Sequence, residues 1–167
     1  MQTHQGASSQ PQTIHPAITT QTPVKSAPLD KDDVVKNIQL PKELESVPTV
    51  TEFPSERHRW NTNEEIAAIL LAFREHQRWQ SEDVRVWPSS GTMVLYSRKK
   101  VRYRRDGFCW KKRRDGKTTR EDHMKLKVQG VECIYGCYVH SAILQTFHRR
   151  CYWLLQGPLP VFVPTGM

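Results

Sequence analysis

The sequence contains no apolar run of the roughly 20 residues that a membrane-spanning helix requires. Its first ten residues, MQTHQGASSQ, lack the apolar core of a secretory signal. We therefore expect a soluble protein that does not contact a membrane. The four cysteines, Cys109, Cys133, Cys137 and Cys151, lie among aromatic and β-branched residues. This usage is typical of a protein in a reducing compartment.

Motifs of catalytic sites are also missing. The sequence shows no nucleophile elbow, phosphate-binding loop or metalloprotease helix, and we expect no enzymatic activity and no cofactor. Cys133, Cys137, His140, His148 and Cys151 lie close together, and the Cys-x3-Cys-x2-His spacing is within the limits for zinc ligands. Side chains alternate in direction along a strand, however, so they need not converge. We interpret the cysteines as core residues and expect no metal, with a zinc-stabilised interaction module as the alternative.

Positive charge is concentrated in one part of the chain. The 167 residues carry a net charge of +8. Positions 98 to 127 hold fourteen Lys and Arg residues and four acidic residues, a net +10, so the rest of the chain sums to −2. A clustered positive field attracts polyanions, whereas dispersed charge mainly favours solubility. The distribution is typical of a surface that binds nucleic acid or an acidic membrane, and of these two partners we expect nucleic acid and no membrane.

The composition predicts one folded unit behind a tail. Residues 1–38 are rich in Gln, Thr, Ser and Pro and cannot bury enough apolar surface to offset the entropy of ordering, so we expect them to be disordered. The following stretch, LPKELESVPTVTEFPSERHRW, has apolar residues between prolines. It suits an extended arm laid on a domain, and a partner-binding segment is the alternative.

The segment NTNEEIAAILLAFREHQRW has the pattern of an amphipathic helix. Thr62 and Glu65 have the spacing of a capping box, and Ile69 and Phe73 recur on one helix face. We predict a helix from about residue 63 to residue 77, with Ile69 and Phe73 facing a sheet. Because its other side carries mixed charges, we interpret it as a packing helix rather than a recognition helix.

The stretch KKVRYRRDGFCWKKRRDGKTTRED contains Asp-Gly twice, each time behind two arginines. Val101 and Tyr103 alternate with basic residues, and Phe108 and Trp110 continue the apolar face after the first Asp-Gly. That pair is a signal for a type I′ hairpin turn, and the second pair turns the chain again. We predict a hairpin or short meander that is apolar on one side and strongly basic on the other.

The remaining segments complete an α+β fold. TMVLY, VECIYGCYVH and FHRRCYWLL predict strands, and TTREDHMKLKV predicts a short helix capped by Thr119. LQTFHRRCYW matches the first part of a calmodulin-binding IQ pattern but lacks its later basic residue, so we interpret it as a strand. The predicted architecture is one amphipathic helix packed on a small antiparallel sheet that carries the basic hairpin.

A basic ribbon of this kind suits double-stranded DNA. Lys and Arg attract phosphates, and arginines on a two-stranded ribbon can bond guanine in the major groove. A solvated charged face is the alternative, although like charges at this density would destabilise a sheet unless a polyanion relieved them. The residues that we expect to contact DNA are Arg98, Lys99, Lys100, Arg102, Arg104, Arg105, Lys111, Lys112, Arg113, Arg114, Lys117 and Arg120.

Two basic blocks, RKKVRYRR and KKRR, also resemble nuclear-import signals. They predict a nuclear import receptor as a second partner and the nucleus as the location. The residues involved would be Arg98, Lys99, Lys100, Lys111, Lys112, Arg113 and Arg114.

Three longer strings carry a family resemblance. RWNTNEEIAAIL, GTMVLYSRKKVRYRRDGFCWKKRRDGKTTREDHMKLKVQGVECIYGCYVHS and TFHRRCYWLLQ closely resemble the CG-1 DNA-binding domain of the calmodulin-binding transcription activators, over about residues 40 to 156. The resemblance implies a nuclear protein that binds CGCG-type DNA elements and regulates transcription. It assigns 39–157 to a CG-1 type domain and 158–167 to a divergent C-terminal tail.

The chain also departs from the family pattern. The immunoglobulin-like module, ankyrin repeats and IQ motifs of family members do not occur in this sequence, so we expect a fragment or splice product that does not bind calmodulin. GPLPVFVPTGM stands where the family has a hydrophobic strand with His-Tyr-Leu, and its prolines would weaken a strand. A truncated regulatory isoform that does not itself bind DNA is therefore an alternative function.

Overall fold

The structure, a computed structural model, describes residues 40–54, 59–156 and 160–167. The tail predicted to be disordered, 1–38, lies outside these residues. Six strands and few helices make the described part mostly sheet with some helix. None of the helices in the described ranges is long and apolar enough to cross a lipid bilayer.

One mixed sheet contains all six strands. Its order is β1-β2-β6-β5-β4-β3, and β1 pairs with β2 in parallel while the other pairs are antiparallel. The sheet is therefore larger than predicted and not purely antiparallel. The strand bounds are β1 Gln80–Ser81, β2 Met93–Ser97, β3 Asp122–Val128, β4 Val131–His140, β5 His148–Leu154 and β6 Pro160–Gly166.

The predicted strands β2, β4 and β5 are confirmed, whereas the short helix predicted after Thr119 is wrong. Residues of that segment form β3, which pairs with β4 from Asp122 opposite Tyr138 to Val128 opposite Val131. The segment has a weak apolar pattern, so local sequence favoured neither state strongly. Pairing along the edge of β4 decides its conformation.

The main helix, α1, spans Asn63–Leu71 and is shorter than predicted. The capping box is present, because the Thr62 side chain accepts from the Glu65 backbone N–H and the Glu65 side chain accepts from the Thr62 backbone N–H. At the other end, the buried His76 ring hydrogen-bonds the Ile69 carbonyl at 2.9 Å. The Ile69 carbonyl also accepts from the Ala72 backbone N–H at 3.4 Å, so the His76 ring adds a side-chain partner at the end of the helix. A second short helix, α2, spans His76–Trp79.

The two faces of the sheet pack against different segments. Leu95 and Phe162 point to the face covered by α1, whereas their neighbours Tyr96 and Val161 point to the opposite face, as strand alternation requires. We call the first cluster the helix-face core. Its buried members are Leu44, Ile66, Ala67, Ile69, Leu70, Met93, Leu95, Val128, Cys133, Ile134, Tyr152, Leu154 and Phe162.

We call the cluster on the opposite face the loop-face core. Its buried members are Tyr96, Val101, Tyr103, Cys137, Cys151, Val161 and Val163. A smaller aromatic cluster nearby contains Phe108, Trp110, Val139 and Phe147.

The proline-rich arm lies on the domain as predicted. Lys42–Ser46 forms a 3-10 helix that buries Leu44. Leu40, Val47 and Phe53 pack against the helix-face core. The ring centroids of Phe53 and Trp79 are 5.6 Å apart. The arm therefore closes the side of the core that α1 leaves open.

The C-terminal residues differ from the weakened strand that their prolines predict. Pro160–Gly166 forms β6, whose residues are all buried and which lies between β2 and β5. Pairing with β5 is recorded on both sides of Pro164, at Arg149 with Thr165 and at Tyr152 with Phe162. Pro164 has no N–H to donate, so the pairing is interrupted at its position while the flanking positions hold the strand.

Candidate nucleic-acid interface

The chain between β2 and β3 carries most of the predicted DNA-binding residues. We call residues 98–120 the basic loop. Among the described residues, its strand pairing consists of two isolated bridges, Trp110 with Ser141 and Lys112 with Thr119. The predicted two-stranded ribbon therefore exists only in part.

The first Asp-Gly pair does not form the predicted hairpin turn. Gly107 has a φ of +71°, but the described non-glycine residues with positive φ are Trp87 and Gln129 and not Asp106. A type I′ turn requires positive φ at both central residues. Asp106 is instead buried, and its side chain has another role.

Asp106 ties the basic loop to the sheet. One carboxylate oxygen accepts hydrogen bonds from Trp110 Nε1 at 2.9 Å and from the Phe108 backbone N–H at 3.1 Å. The other forms an ion pair with Arg149 Nη1 at 2.9 Å, in which both side chains are at most 4% exposed. Arg149 also donates to the Arg104 carbonyl at 3.3 Å. Arg149, on β5, thus contacts the basic loop at two points, the Arg104 carbonyl and the Asp106 carboxylate.

The second Asp-Gly pair lies at the tip of a short hairpin, as predicted. Backbone bonds join Arg113 N to Thr118 O and Arg120 N to Lys111 O, both at 2.8 Å. The Asp115 carboxylate accepts from the backbone N–H groups of Lys117 and Thr118. These backbone bonds to Thr118 and Lys117 lower the pKa of Asp115.

The apolar residues of the basic loop pack against the domain, on the apolar side that the sequence predicts. Val101 and Tyr103 lie in the loop-face core, and Phe108 and Trp110 lie in the aromatic cluster. Burial raises the pKa of Tyr103 to about 12. Trp110 and Phe147 are stacked with centroids 5.7 Å apart.

Most of the predicted contact residues project into solvent. Arg98 is half-buried, with its guanidinium 4.2 Å from the centre of the Trp153 ring. Arg104 donates to Glu121 at 2.8 Å and lies over Tyr103 at 4.8 Å. Although burial opposes it, the hydrogen bond to Glu121 raises the pKa of Arg104. Arg104 is nevertheless exposed, as are the other predicted residues: Lys99, Lys100, Arg102, Arg105, Lys111, Lys112, Arg113, Arg114, Lys117 and Arg120.

Sequence reasoning missed two residues of this face, Arg149 and Trp87. Arg149 reads as one more basic residue of a strand, and only the fold shows that it is buried against Asp106. Trp87 is 59% exposed with a φ of +53°, and its backbone N–H donates to the Asp106 carbonyl at 2.9 Å. The sequence distinguishes Trp87 only by its position before a proline, and that position does not predict a positive φ. Trp87 adds an exposed ring beside the basic loop.

The cysteines and histidines weighed as zinc ligands do not form one group. Cys133 packs in the helix-face core, whereas Cys137 and Cys151 pack in the loop-face core. The pairing between β3 and β4 skips Cys133 at a bulge, and this shift turns its side chain away from Cys137. His140 and His148 have rings 4.5 Å apart, and His140 contacts Asp122 at 3.3 Å.

These observations describe a β-sheet domain with a dense basic loop fastened to one face. Comparison with known proteins identifies the family of this domain. A family model described as the CG-1 domain matches residues 55–164. The chain therefore belongs to the CG-1 domain family. No solved structure matches it.

Its relatives include proteins of animals and plants. Calmodulin-binding transcription activator 2 of Homo sapiens is 59% identical over 140 residues, which are 80% of this chain and 12% of that protein. Calmodulin-binding transcription activator 1 of Arabidopsis thaliana is 40% identical over 104 residues, 62% of this chain and 10% of that protein. The Caenorhabditis elegans homolog 1 is 43% identical over 103 residues, 60% and 9%. The chain thus corresponds to a small part of each relative.

Proposed function

We propose that this chain binds double-stranded DNA without catalysis and serves transcription regulation in the nucleus. Family membership supports this proposal, because its relatives are named transcription activators. CGCG-type elements are the proposed target, on the strength of the resemblance described above.

The observation that carries the proposal is the exposure of the basic loop. Eleven of its Lys and Arg side chains are exposed, while Tyr103 and Trp110 are buried beneath them and Phe108 is half-buried. Like charges at this density repel one another, and a polyanion removes that repulsion while releasing its own counterions. The buried rings hold the loop close to one conformation, so that fewer degrees of freedom are lost on binding.

Within the loop, arginines and lysines have different roles in this proposal. Arg102 and Arg105 are exposed, and a guanidinium suits bidentate bonding to O6 and N7 of guanine. Lys112 is exposed on the second block and suits phosphate contact as a point charge. Arg104 is a candidate base reader from sequence, but its bond to Glu121 makes it a support for the loop as well.

The test is duplex binding by fluorescence anisotropy across a salt series, with a CGCG duplex and a scrambled duplex. Arg102→Ala should weaken cognate binding by about 1–3 kcal/mol and relax sequence preference. Lys112→Ala should weaken both duplexes similarly and reduce the salt slope by about one. Lys42→Ala is the matched control, because Lys42 is an exposed cation on the arm that covers the opposite face.

Wild-type affinity and salt slope in both loop variants would show that the basic loop is not the DNA surface. No binding of any duplex by the folded chain would favour the regulatory isoform that does not itself bind DNA. Calmodulin binding by the chain would contradict our expectation that it lacks an IQ site.

Nuclear import is a second proposed function of the same residues. The two basic blocks, 98–105 and 111–114, are exposed apart from Arg98 at one edge and the nonbasic Val101 and Tyr103, so a receptor can reach them. Replacing Lys111, Lys112, Arg113 and Arg114 by alanine should move a fluorescent fusion from the nucleus to the cytoplasm. Nuclear retention of that variant would contradict the assignment.

A further inference from the structure

Three side chains with metal-binding atoms meet where the basic loop enters β3. Glu121 precedes β3, His123 lies on it, and Cys137 is the cross-strand partner of His123 on β4. Their ligand atoms all lie within 4.8 Å of one another. Thiolate, imidazole and carboxylate are the ligands that zinc takes in proteins.

The carboxylate of Glu121 has one oxygen available to an ion. Its Oε1 accepts from Arg104 Nε at 2.8 Å, and its Oε2 lies 3.8 Å from His123 Nε2. An oxygen and a nitrogen ligand on one tetrahedral zinc are separated by about 3.3–3.5 Å, given bonds of about 2.0–2.2 Å. Oε2 and Nε2 are therefore within about 0.5 Å of the spacing in a zinc site.

His123 is also oriented by a contact behind it. Its Nδ1 lies 2.8 Å from the hydroxyl of Tyr135. When Nδ1 carries the proton and donates it to that hydroxyl, the lone pair of Nε2 is available to the metal. Metal-binding histidines generally have such a partner on the second nitrogen, and it fixes the ring and its tautomer.

We propose that Glu121 Oε2, His123 Nε2 and Cys137 Sγ bind a zinc ion, with the fourth position open to water. Coordination forms a zinc–sulfur bond and breaks the S–H bond of the Cys137 thiol, whose proton is released to solvent. With a thiolate and a carboxylate the centre is neutral, so it is compatible with the nearby arginines. The side chain of His123 is 41% exposed and gives the ion a route from solvent.

This site replaces the expectation of no metal, and it shares only Cys137 with the zinc ligands weighed from the sequence. Those were chosen by proximity along the chain, whereas Glu121 and His123 reach Cys137 through the pairing of β3 with β4. A segment interpreted as a helix could not reveal that juxtaposition.

The experiment titrates the metal-free full chain with Co²⁺, which reports thiolate ligation through a sulfur-to-cobalt charge-transfer band, followed by displacement with Zn²⁺. We expect one equivalent to bind with this band, and Zn²⁺ to abolish it. Cys137→Ser should remove the band, and His123→Gln should weaken binding at least ~10-fold. Tyr135→Phe should weaken it by about 10-fold, since the orienting contact is lost. Cys133→Ser, in the helix-face core, is the matched thiol control.

Absence of saturable Co²⁺ binding to the folded wild-type chain would overturn the proposal. So would a band that survives in Cys137→Ser or disappears in Cys133→Ser. His123 is exposed on an edge strand, so its variant keeps the test decisive even if Cys137→Ser fails to fold. Duplex binding is measured separately, and its result does not affect this outcome.

Discussion

The two faces of the sheet are covered in different ways. A capped helix and an apolar arm cover one face, and the core beneath them consists almost entirely of hydrocarbon side chains. A loop with little regular structure covers the other, and beneath it lies the buried ion pair of Asp106 and Arg149. A helix satisfies its own backbone groups, whereas an irregular loop must find partners elsewhere. The loop face therefore depends on a few specific polar contacts.

This difference decides how each face responds to a substitution. On the helix face, a substitution should lower the free energy of unfolding in proportion to the buried apolar area that it removes. The loop face presents many cations, and their repulsion opposes a fixed conformation. Buried rings and one internal carboxylate oppose that repulsion, so we expect the loop face to have fewer but more severe points of failure.

The largest expected effect comes from Asp106→Ala. It leaves the Arg149 guanidinium buried without its carboxylate, which typically costs about 3–5 kcal/mol. Urea unfolding should show this loss, while Asp115→Ala, at the exposed hairpin, should cost less. A double variant, Asp106→Ala with Arg149→Met, should recover part of the stability because no charge is left buried. Equal effects of Asp106→Ala and Asp115→Ala would refute the anchoring role of Asp106.

On the helix face, Ile69→Ala should cost more stability than Phe73→Ala. Ile69 is 2% exposed, and truncating a buried isoleucine typically costs about 2–5 kcal/mol. Phe73 lies beyond α1 and is only half-buried, so Phe73→Ala should cost about 1–2 kcal/mol. The same urea series compares the two. A greater loss of stability for Phe73→Ala than for Ile69→Ala would favour the longer helix that the sequence predicts.

The contrast between Ile69 and Phe73 also shows what periodicity can predict. Helical spacing located α1 and its N-cap correctly, because Thr62 and Glu65 act on the backbone next to them. It placed the end of the helix too late in the chain, because the Ile69 carbonyl accepts from the Ala72 backbone N–H and also bonds the His76 ring, seven residues away. Local patterns predict the first kind of bond but not the second.

The candidate interface also has features that the sequence predicts and features that it does not. The charge and the buried rings of the basic loop were predictable, since alternation fixes which side chains share a face. The conformation at Asp106 was not, because its partner Arg149 lies on β5, 43 residues away. The place of β6 was equally hidden, since its prolines argue against a strand while its position between β2 and β5 holds it there.

The two turn glycines allow the two Asp-Gly pairs of the basic loop to be compared. Gly107 and Gly116 have φ values of +71° and +67°, so alanine at either position pays roughly 1–2 kcal/mol for a left-handed backbone. A Cβ at Gly107 would lie 3.4 Å from Val86 Cγ1, while one at Gly116 meets nothing within 4 Å. Gly107→Ala should lower global stability, as measured by urea unfolding. Gly116→Ala should do so less, because its exposed hairpin can fray locally. The reverse order would mean that the second hairpin is the better anchored.

The smallest expected effect is a pH dependence on the helix face. Burial lowers the pKa of His76, whose ring hydrogen-bonds the Ile69 carbonyl. Because the folded pKa is below that of the unfolded chain, the unfolded state binds more protons as pH falls through the ordinary value of about 6.5. The contribution of His76 to the free energy of unfolding is therefore complete above that value and is lost below it.

Urea unfolding at about pH 7.5 and about pH 5.5 brackets this range. The wild type should lose more stability on acidification than His76→Gln, whose amide can still donate to the carbonyl but does not titrate. His148, whose pKa burial also lowers, is present in both proteins and cancels in the difference. Equal losses in the two proteins would show that His76 is not held neutral at the end of α1.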